Sequence, residues 1–123
     1  MKRIEATIRH DTFADVKAAL AIVPHHNLVA CDVREEDRAG GIELHYRGTS
    51  RLHDLSQRVS VSVLVEDSDS EAAVEAIVSA ADTGQEAGGI VVVVPVDDVV
   101  VISGSSAKSR KVRTLSGSEA LSA

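Results

Sequence analysis

The sequence has few of the residues that aromatic cores, disulfides and membrane spans require. Among 123 residues, Phe13 and Tyr46 are the only aromatic side chains and Cys31 is the only cysteine, so no intrachain disulfide can form. The apolar run Ile90 to Val94 is far too short to cross a bilayer, and the N-terminus lacks the apolar run of a signal peptide. We therefore expect a single cytoplasmic domain with a core of aliphatic side chains.

Positive charge is scarce and unevenly placed. The net charge of −6 argues against nucleic acid or an anionic membrane as a general partner. No Lys or Arg occurs from Val59 to Ala107, and then four basic residues follow within six positions: Lys108, Arg110, Lys111 and Arg113. Because the last segment is rich in Ser and lacks apolar periodicity, we expect residues 103–123 to form a polar, basic, flexible tail after a domain that spans 1–102.

Two segments alternate aliphatic and polar residues, which is typical of half-buried strands. They are Arg3–Arg9 and Arg58–Val65. Further strands are predicted for Leu28–Val33 and Ile90–Val94, and a short apolar piece follows at Val99–Ile102. Apolar residues at helical spacing predict two helices, with the stripes Phe13, Val16, Leu20, Val23 and Val74, Ile77, Val78, Ala81.

The predicted elements follow the order β-α-β, long insertion, β-α-β. This order predicts an α+β, ferredoxin-like βαββαβ fold, in which a four-stranded antiparallel sheet carries two helices on one face. Thr7, Ser60 and Ser62 then fall on the other face beside Leu64. Since the helices cannot cover that face, we expect it to mediate oligomerisation.

The segment between the two halves has no consistent periodicity. Residues 34–57 mix charged side chains, glycines and isolated apolar residues. A long polar insertion in a compact domain is usually functional or disordered. We predict a long exposed loop here, with extended arms near Ile42 to Tyr46.

Three glycines precede the strand Ile90–Val94. Gly84, Gly88 and Gly89 can turn backbone N–H groups toward an anion. Alternatively, Gly84 ends the preceding helix, and Gly88 with Gly89 makes a tight turn. The spacing alone leaves both interpretations open.

The remaining titratable residues show no catalytic or metal-ligating spacing. Neither Cys-x-x-Cys nor His-x-x-x-His occurs, which favours exposed loop histidines over a metal site. The carboxylates of Asp97, Asp98 and Glu35 to Asp37 lie in polar turns, where we expect solvated faces. Without a nucleophile elbow or phosphate loop either, we expect a protein that is not an enzyme and has no metal or cofactor.

The run Glu43-Leu44-His45-Tyr46-Arg47-Gly48 resembles the Glu-Leu-Tyr-Arg-Gly run in the T-loop of the PII signal-transduction family, with His45 inserted. Further similarity to this family lies, in order and at nearly ungapped spacing, in Met1–Ala6, Phe13–Leu20, Glu75–Ile77, Thr83-Gly84 with Gly89, and Pro95–Asp97. The resemblance covers about residues 1–102.

The resemblance implies a homotrimer that binds an adenine nucleotide in each cleft between subunits. It further implies that the T-loop regulates a protein partner such as a membrane transporter or a metabolic enzyme. On this resemblance the nucleotide-binding residues are Val29, Arg38, Leu64, Thr83, Gly84, Ala87, Gly88 and Gly89. The partner loop contains Glu35, Glu36, Asp37, Tyr46, Arg47 and Gly48.

The sequence departs from the family pattern where the phosphates are held. Ile90 stands in the place of a lysine, and Val101 and Ser103 in the places of two arginines. Ala39 falls at or near the place of the glutamine that binds magnesium and 2-oxoglutarate, and Arg51 replaces a tyrosine that some members uridylylate. Charge-assisted hydrogen bonds are each worth about 1.5–3 kcal/mol, so triphosphate binding should be weakened unless other cations substitute.

Several cations are candidates for that substitution. The phosphate contacts that we consider are Arg34, Arg38, Arg58, Lys108 and Arg110, together with Arg47, Lys111 and Arg113. The departures resemble divergent PII-like branches linked to inorganic carbon, so we expect AMP, ADP or ATP as ligand, with bicarbonate as a further candidate. The alternative is an interaction module on the same fold with a vestigial nucleotide pocket.

Overall fold

The computed structural model describes residues 1–36, 42–46, 49–53, 55–84, 88–103 and 113–117. A short 3-10 turn precedes each helix. The bounds of the elements are β1 Lys2–Ile8, α1 Phe13–Leu20, β2 His26–Glu36, β3 Ile42–Tyr46, β4 Thr49–His53, β5 Leu55–Val65, α2 Ser70–Ala81, β6 Gly89–Pro95, β7 Val100–Ile102 and β8 Arg113–Leu115.

Four strands form one antiparallel sheet in the order β2-β5-β1-β6. The register places Ile4 opposite Val63 on one side and opposite Val93 on the other. β1 thus lies inside the sheet between β5 and β6, and β6 forms one edge of the sheet. The predicted ferredoxin-like fold is confirmed.

Both helices cover the same face of this sheet. The aliphatic side of β1 and β5, which includes Ile4, Ile8 and Val61, is almost fully buried beneath them. Val16 and Leu20 of α1 are also fully buried. Burial of each such side chain contributes about 1.5–3 kcal/mol, which makes this layer the main source of stability.

The buried stripe of α2 differs from the predicted one, since it includes Ala73 and excludes Val78, with Val74 only partly buried. Ala73, Ile77 and Ala81 are buried, whereas Val78 is 48% exposed. The prediction of Val78 as a core residue is therefore wrong. Residues 73, 77 and 81 are spaced by four and lie above one another on the helix, while Val78 is rotated away by one position.

The strands beside the insertion are longer than the sequence predicts. β2 continues to Glu36 and β5 begins at Leu55, and they stay paired out to Glu36 opposite Leu55. β3 and β4 form a separate antiparallel pair within 34–57. β3 coincides with the extended arm predicted near Ile42 to Tyr46. Strands form here without the alternating aliphatic pattern, because backbone pairing with a neighbouring strand does not require it.

Part of the predicted tail is also a strand. β8 pairs with β7 in parallel, with Arg113 opposite Val100 and Leu115 opposite Ile102. The N–H of Ser103 donates to the carbonyl oxygen of Leu115 at 2.7 Å. Arg113–Leu115 of the predicted tail thus form a strand, since pairing with β7 supplies the hydrogen bonds that these residues lack on their own.

The sheet face opposite the helices carries both polar and apolar side chains. Ser60, Ser62 and Leu64 of β5 all lie on this face, as predicted. Val29 at one edge is 49% exposed, and Val92 at the other edge is 43% exposed. We call this surface the open face. Among the described residues, no helix is both long enough and apolar enough to span a membrane.

Candidate functional site

The glycine turn begins directly after α2. The helix is capped by Asp82, whose N–H donates to the carbonyl oxygen of Val78 at 2.9 Å. Gly84 lies two residues later with φ of +77°, and its N–H donates to Oδ1 of Asp82 at 3.0 Å. The interpretation of Gly84 as the helix cap is therefore wrong. Asp82 takes that role, and its short side chain makes the turn that Gly84 completes.

Gly89 has a different structural role. Its φ is +134°, and a Cβ at this position would stand 2.2 Å from the carbonyl oxygen of Thr7. The residue opens β6 opposite Ile8 of β1. Glycine is needed here because the two backbones approach too closely for any side chain.

A cleft of about 210 Å³ lies next to this turn, on the helix side of the sheet. Gly88 and Gly89 line it, together with Ile8, Ile77, Val78, Ala81, Asp82, Ile90 and Val91. This lining is mostly apolar, and its one charged member is the carboxylate of Asp82. Thr83 and Gly84 are exposed in the adjoining turn, and Ala87 lies outside the described residues.

The other predicted nucleotide-binding residues are placed elsewhere. Val29 lies opposite Ser62, and Leu64 lies opposite His26, so both occupy the open face near the β2 edge. Gly89 lies in β6, at the opposite edge of the sheet. The fold thus separates the predicted contacts into two groups, one at each edge.

The base of the insertion holds a nearly buried arginine. The Arg58 side chain is 17% exposed, and its Nε lies 3.8 Å from Oε1 of Glu35, which is 24% exposed. This Nε is itself buried and has no hydrogen-bond partner within the part of the chain that the structure describes. A buried donor in this state destabilises the fold unless a hydrogen-bond acceptor reaches it.

Arg34 and Arg58 do not converge. Arg58 lies opposite Val33 and Arg34 lies opposite Gln57. Because successive side chains of a strand point to opposite faces, Arg58 is on the open face and Arg34 is on the helix side. Glu35 shares the open face with Arg58, and Glu36 is exposed at the end of β2.

Several predicted site residues lie outside the described residues. They are Asp37, Arg38, Ala39, Arg47, Gly48, Lys108 and Arg110, with Lys111. Tyr46 ends β3 and Arg51 lies in β4. Of the residues that replace family cations, Ile90 is 37% exposed, Val101 is half-buried and Ser103 is exposed.

One ion pair was missed at the sequence level. Asp98 is exposed, as expected for a solvated turn, and Nε and Nη2 of Arg113 donate to its two carboxylate oxygens. These hydrogen bonds and the positive charge of Arg113 hold the pKa of Asp98 below its ordinary value. The partners are fifteen residues apart, and no short-range pattern relates them.

The described residues contain no group of three or more His, Cys, Asp or Glu side chains that could hold a metal ion. Cys31 is exposed on β2. His25 contacts the carbonyl oxygen of Val23 at 2.7 Å, and His10 lies 3.5 Å from Asp32.

Over residues 1–106 the sequence matches the family described as Nitrogen regulatory protein P-II. Nitrogen regulatory protein P-II 1 of Methanothermobacter thermautotrophicus is 37% identical over 102 residues, which is 83% of this chain and 89% of the relative. The P-II protein of Azospirillum brasilense is 37% identical with 83% and 91% coverage. GlnK2 of Haloferax mediterranei is 33% identical and covers 83% of both chains. With a ferredoxin-like sheet and similarity that spans most of both sequences, this chain belongs to the nitrogen regulatory protein P-II family.

Proposed function

We propose that this protein is a non-enzymatic, homotrimeric regulator that binds an adenine nucleotide between subunits and controls a protein partner through residues 34–57. The observation that carries the proposal is the nearly buried Arg58, whose Nε lacks a hydrogen-bond partner within the described residues. It lies on the open face at the base of the insertion. A phosphate group at this place would accept a hydrogen bond from the buried Nε of Arg58. Because Glu35 of the insertion lies 3.8 Å from the same Nε, phosphate binding would be coupled to the position of the insertion.

The separation of the predicted contacts supports a site between copies. From β6 to β2 the sheet spans three strand spacings, roughly 14 Å at about 4.8 Å each. Val29 and Leu64 at one edge and Gly88 and Gly89 at the other therefore do not meet around one nucleotide base within a single subunit. They meet only where the β2 edge of one copy approaches the β6 edge of the next.

The charge of the site favours ligands with few phosphates. The cleft beside Gly88 and Gly89 contains no Lys or Arg among its described lining, and Ile90 stands where the family has lysine. Arg58 and Arg38 are the proposed phosphate contacts, with Lys108 and Arg110 as further cations. Three family cations are missing, so AMP or ADP should bind as well as ATP, or better. Bicarbonate is a candidate second ligand.

The proposed partner surface is the insertion itself. It comprises Glu35, Glu36, Asp37, Tyr46, Arg47 and Gly48, and the β3–β4 pair gives it a defined extended portion. Because β2 and β5 stay paired from Arg58 out to Glu36 and Leu55, a change at Arg58 can be transmitted along these strands toward the insertion. A transporter or a metabolic enzyme is the proposed class of partner, and we place the complex in the cytoplasm.

Calorimetry with AMP, ADP, ATP and bicarbonate tests the proposal, with Arg58→Gln as the variant. Loss of the cation should weaken nucleotide binding about tenfold or more, since a charge-assisted hydrogen bond is removed. Lys17→Gln, which removes an exposed cation from α1, is the matched control and should bind normally. If the wild-type protein gives no heat with any of the three nucleotides, nucleotide sensing is refuted.

A second candidate is an interaction module in which the pocket no longer binds nucleotide. The apolar, acidic lining of the cleft beside Gly89 favours this candidate. It retains the trimer and the insertion but predicts that a partner copurifies equally with and without added nucleotide. The first proposal predicts that nucleotide changes the amount of copurified partner.

A further inference from the structure

A polar groove runs along the helix side of β2. Apart from Arg34, a candidate phosphate contact in the sequence, its lining contains none of the proposed nucleotide-binding residues. Two adjoining clefts meet at His10 and Asp32. One has a volume of about 270 Å³ and is also lined by Val33, Arg34 and Gln57. The other has a volume of about 220 Å³ and extends to Phe13, Ala30, Cys31 and Val59. We call the two together the His10 groove.

The first half of the groove presents opposite charges on one surface. Asp32 and Arg34 are two residues apart on β2 and so share a face, with Cα atoms about 7 Å apart. Gln57 lies directly opposite Arg34 on β5. Nε2 of His10, which precedes α1, lies 3.5 Å from Oδ1 of Asp32. Arg34 forms no ion pair with another residue in the described ranges, so its guanidinium is available to a ligand.

The second half of the groove is largely apolar. Val59 belongs to the hydrophobic core and Phe13 packs against it. Ala30 lines the groove on the side of β2. The groove therefore combines a cationic group, an anionic group and an apolar wall within the length of a small molecule. Pockets that bind small ligands commonly have this composition, with a few polar groups that fix orientation.

We propose that the His10 groove binds a free α-amino acid in its zwitterionic form. Arg34 holds the carboxylate, since its guanidinium matches the two oxygens. Asp32 holds the ammonium group, and the side chain lies along Phe13 and Val59, with the amide of Gln57 beside it. A simple anion is disfavoured by the carboxylate of Asp32, and a simple cation is disfavoured by Arg34.

This groove lies on the helix side of the sheet, whereas Arg58 and Val29 of the proposed nucleotide site lie on the open face. It is also distant from the cleft beside Gly89 of the same subunit. Asp32 pairs with Val59, Val59 with Ile8, and Ile8 with Gly89 across the sheet. The two sites within one subunit are thus roughly 14 Å apart, three strand spacings of about 4.8 Å. Amino acid binding measured without nucleotide tests this inference whether or not nucleotide binds.

The test uses the full chain, with amide and His10 ring signals followed by NMR during titration with alanine, leucine, glutamate and lysine. Each amino acid is compared with two analogues. One lacks the α-amino group, and in the other the α-carboxylate is replaced by a carboxamide. We expect saturable shifts at His10, Asp32 and Arg34 with the zwitterion, and at least about tenfold weaker binding of both analogues.

Two variants remove the proposed contacts. Arg34→Gln should abolish the preference for the carboxylate over the carboxamide, and Asp32→Asn should abolish the preference for the amine. The controls Lys17→Gln and Asp15→Asn change exposed charges on α1 and should leave both preferences intact. Circular dichroism checks that all four variants fold.

Three results would overturn the inference. The first is no shift in the groove with any amino acid at millimolar concentration. The second is equal affinity for the acid without its amine, which would make the groove an anion site. The third is unchanged affinity in both Arg34→Gln and Asp32→Asn.

Discussion

Gly89 and Thr7 approach so closely that a Cβ on Gly89 would lie 2.2 Å from the Thr7 carbonyl oxygen. The contact arises where β6 begins to pair with β1. It fixes the start of the edge strand that follows the glycine turn, and thereby the position of the cleft beside Gly88.

Gly89→Ala should destabilise the fold by about 2 kcal/mol or more, because the methyl group meets backbone and the residue sits at positive φ. Urea unfolding measures the change. Gly117→Ala is the control, since a Cβ there meets nothing within 4 Å, and its stability should change by less than about 0.5 kcal/mol. Equal stability of Gly89→Ala and wild type would contradict the close approach.

The burial pattern of α2 predicts that truncating two neighbouring side chains lowers the free energy of unfolding by different amounts. Ile77 is 1% exposed and Val78 is 48% exposed. Ile77→Ala should cost about 2–5 kcal/mol because it leaves a cavity between helix and sheet. Val78→Ala should cost less than about 1 kcal/mol. Urea unfolding of both variants checks the rotation of the helix, and the reverse order of stability would disprove it.

The Asp98–Arg113 pair predicts a pH-dependent attachment of β8. The pKa of Asp98 is held below 3.8 in the folded protein by the hydrogen bonds and charge of Arg113. Since the folded pKa is the lower one, the stabilising effect is fully present above the ordinary pKa and is lost as the pH falls through the folded pKa. NMR titration of the Asp98 carboxyl group measures this value.

Arg113→Gln should return the pKa of Asp98 toward 3.8 and speed hydrogen exchange at Ser103, whose N–H bonds to Leu115. Exchange of the β1 amides should not change, because the pair is exposed and far from the core. Arg3→Gln, which breaks an exposed pair with Glu5, is the control. An Asp98 pKa that does not rise in Arg113→Gln would show that the pair does not form in solution.

If subunits assemble through the open face, an exposed apolar residue on that face should be needed for assembly, and one outside it should not. Val92 on this face is 43% exposed, and Ile22, in the turn after α1, is 87% exposed. If copies pack through the open face, Val92→Asp should convert the oligomer to monomer, because it buries an unpaired charge. Ile22→Asp should leave the mass unchanged. Sedimentation measures the mass of both variants. If the Val92→Asp variant is still a trimer, the interface lies elsewhere.

Much of the fold was predictable because its core strands follow simple periodicities. From Ile4 to Ile8 in β1 and from Val59 to Val65 in β5 every second residue is aliphatic, so the buried face of β1 could be assigned to Ile4, Ala6 and Ile8 without coordinates. The helices were located by the same reasoning. The error at Val78 arose because a stripe of Val, Ile and Ala is broad, and the sequence does not indicate which edge of it meets the sheet.

The site was less predictable because its contacts depend on long-range pairing. The glycines near Ile90 marked a turn, but the need for Gly89 comes from Thr7, which lies far away in sequence. The opposite orientation of Arg34 and Arg58 follows from the register of β2 with β5. Asp98 meets Arg113 only because β8 returns to β7.

By itself the sequence determined the fold class, the aliphatic core and the resemblance to the PII family, because these depend on local periodicity and on ordered short motifs. Only the tertiary structure decided which charged groups share a surface. Strand register sets that arrangement, and a shift of β2 by one residue against β5 would move Arg34 to the face that Arg58 occupies.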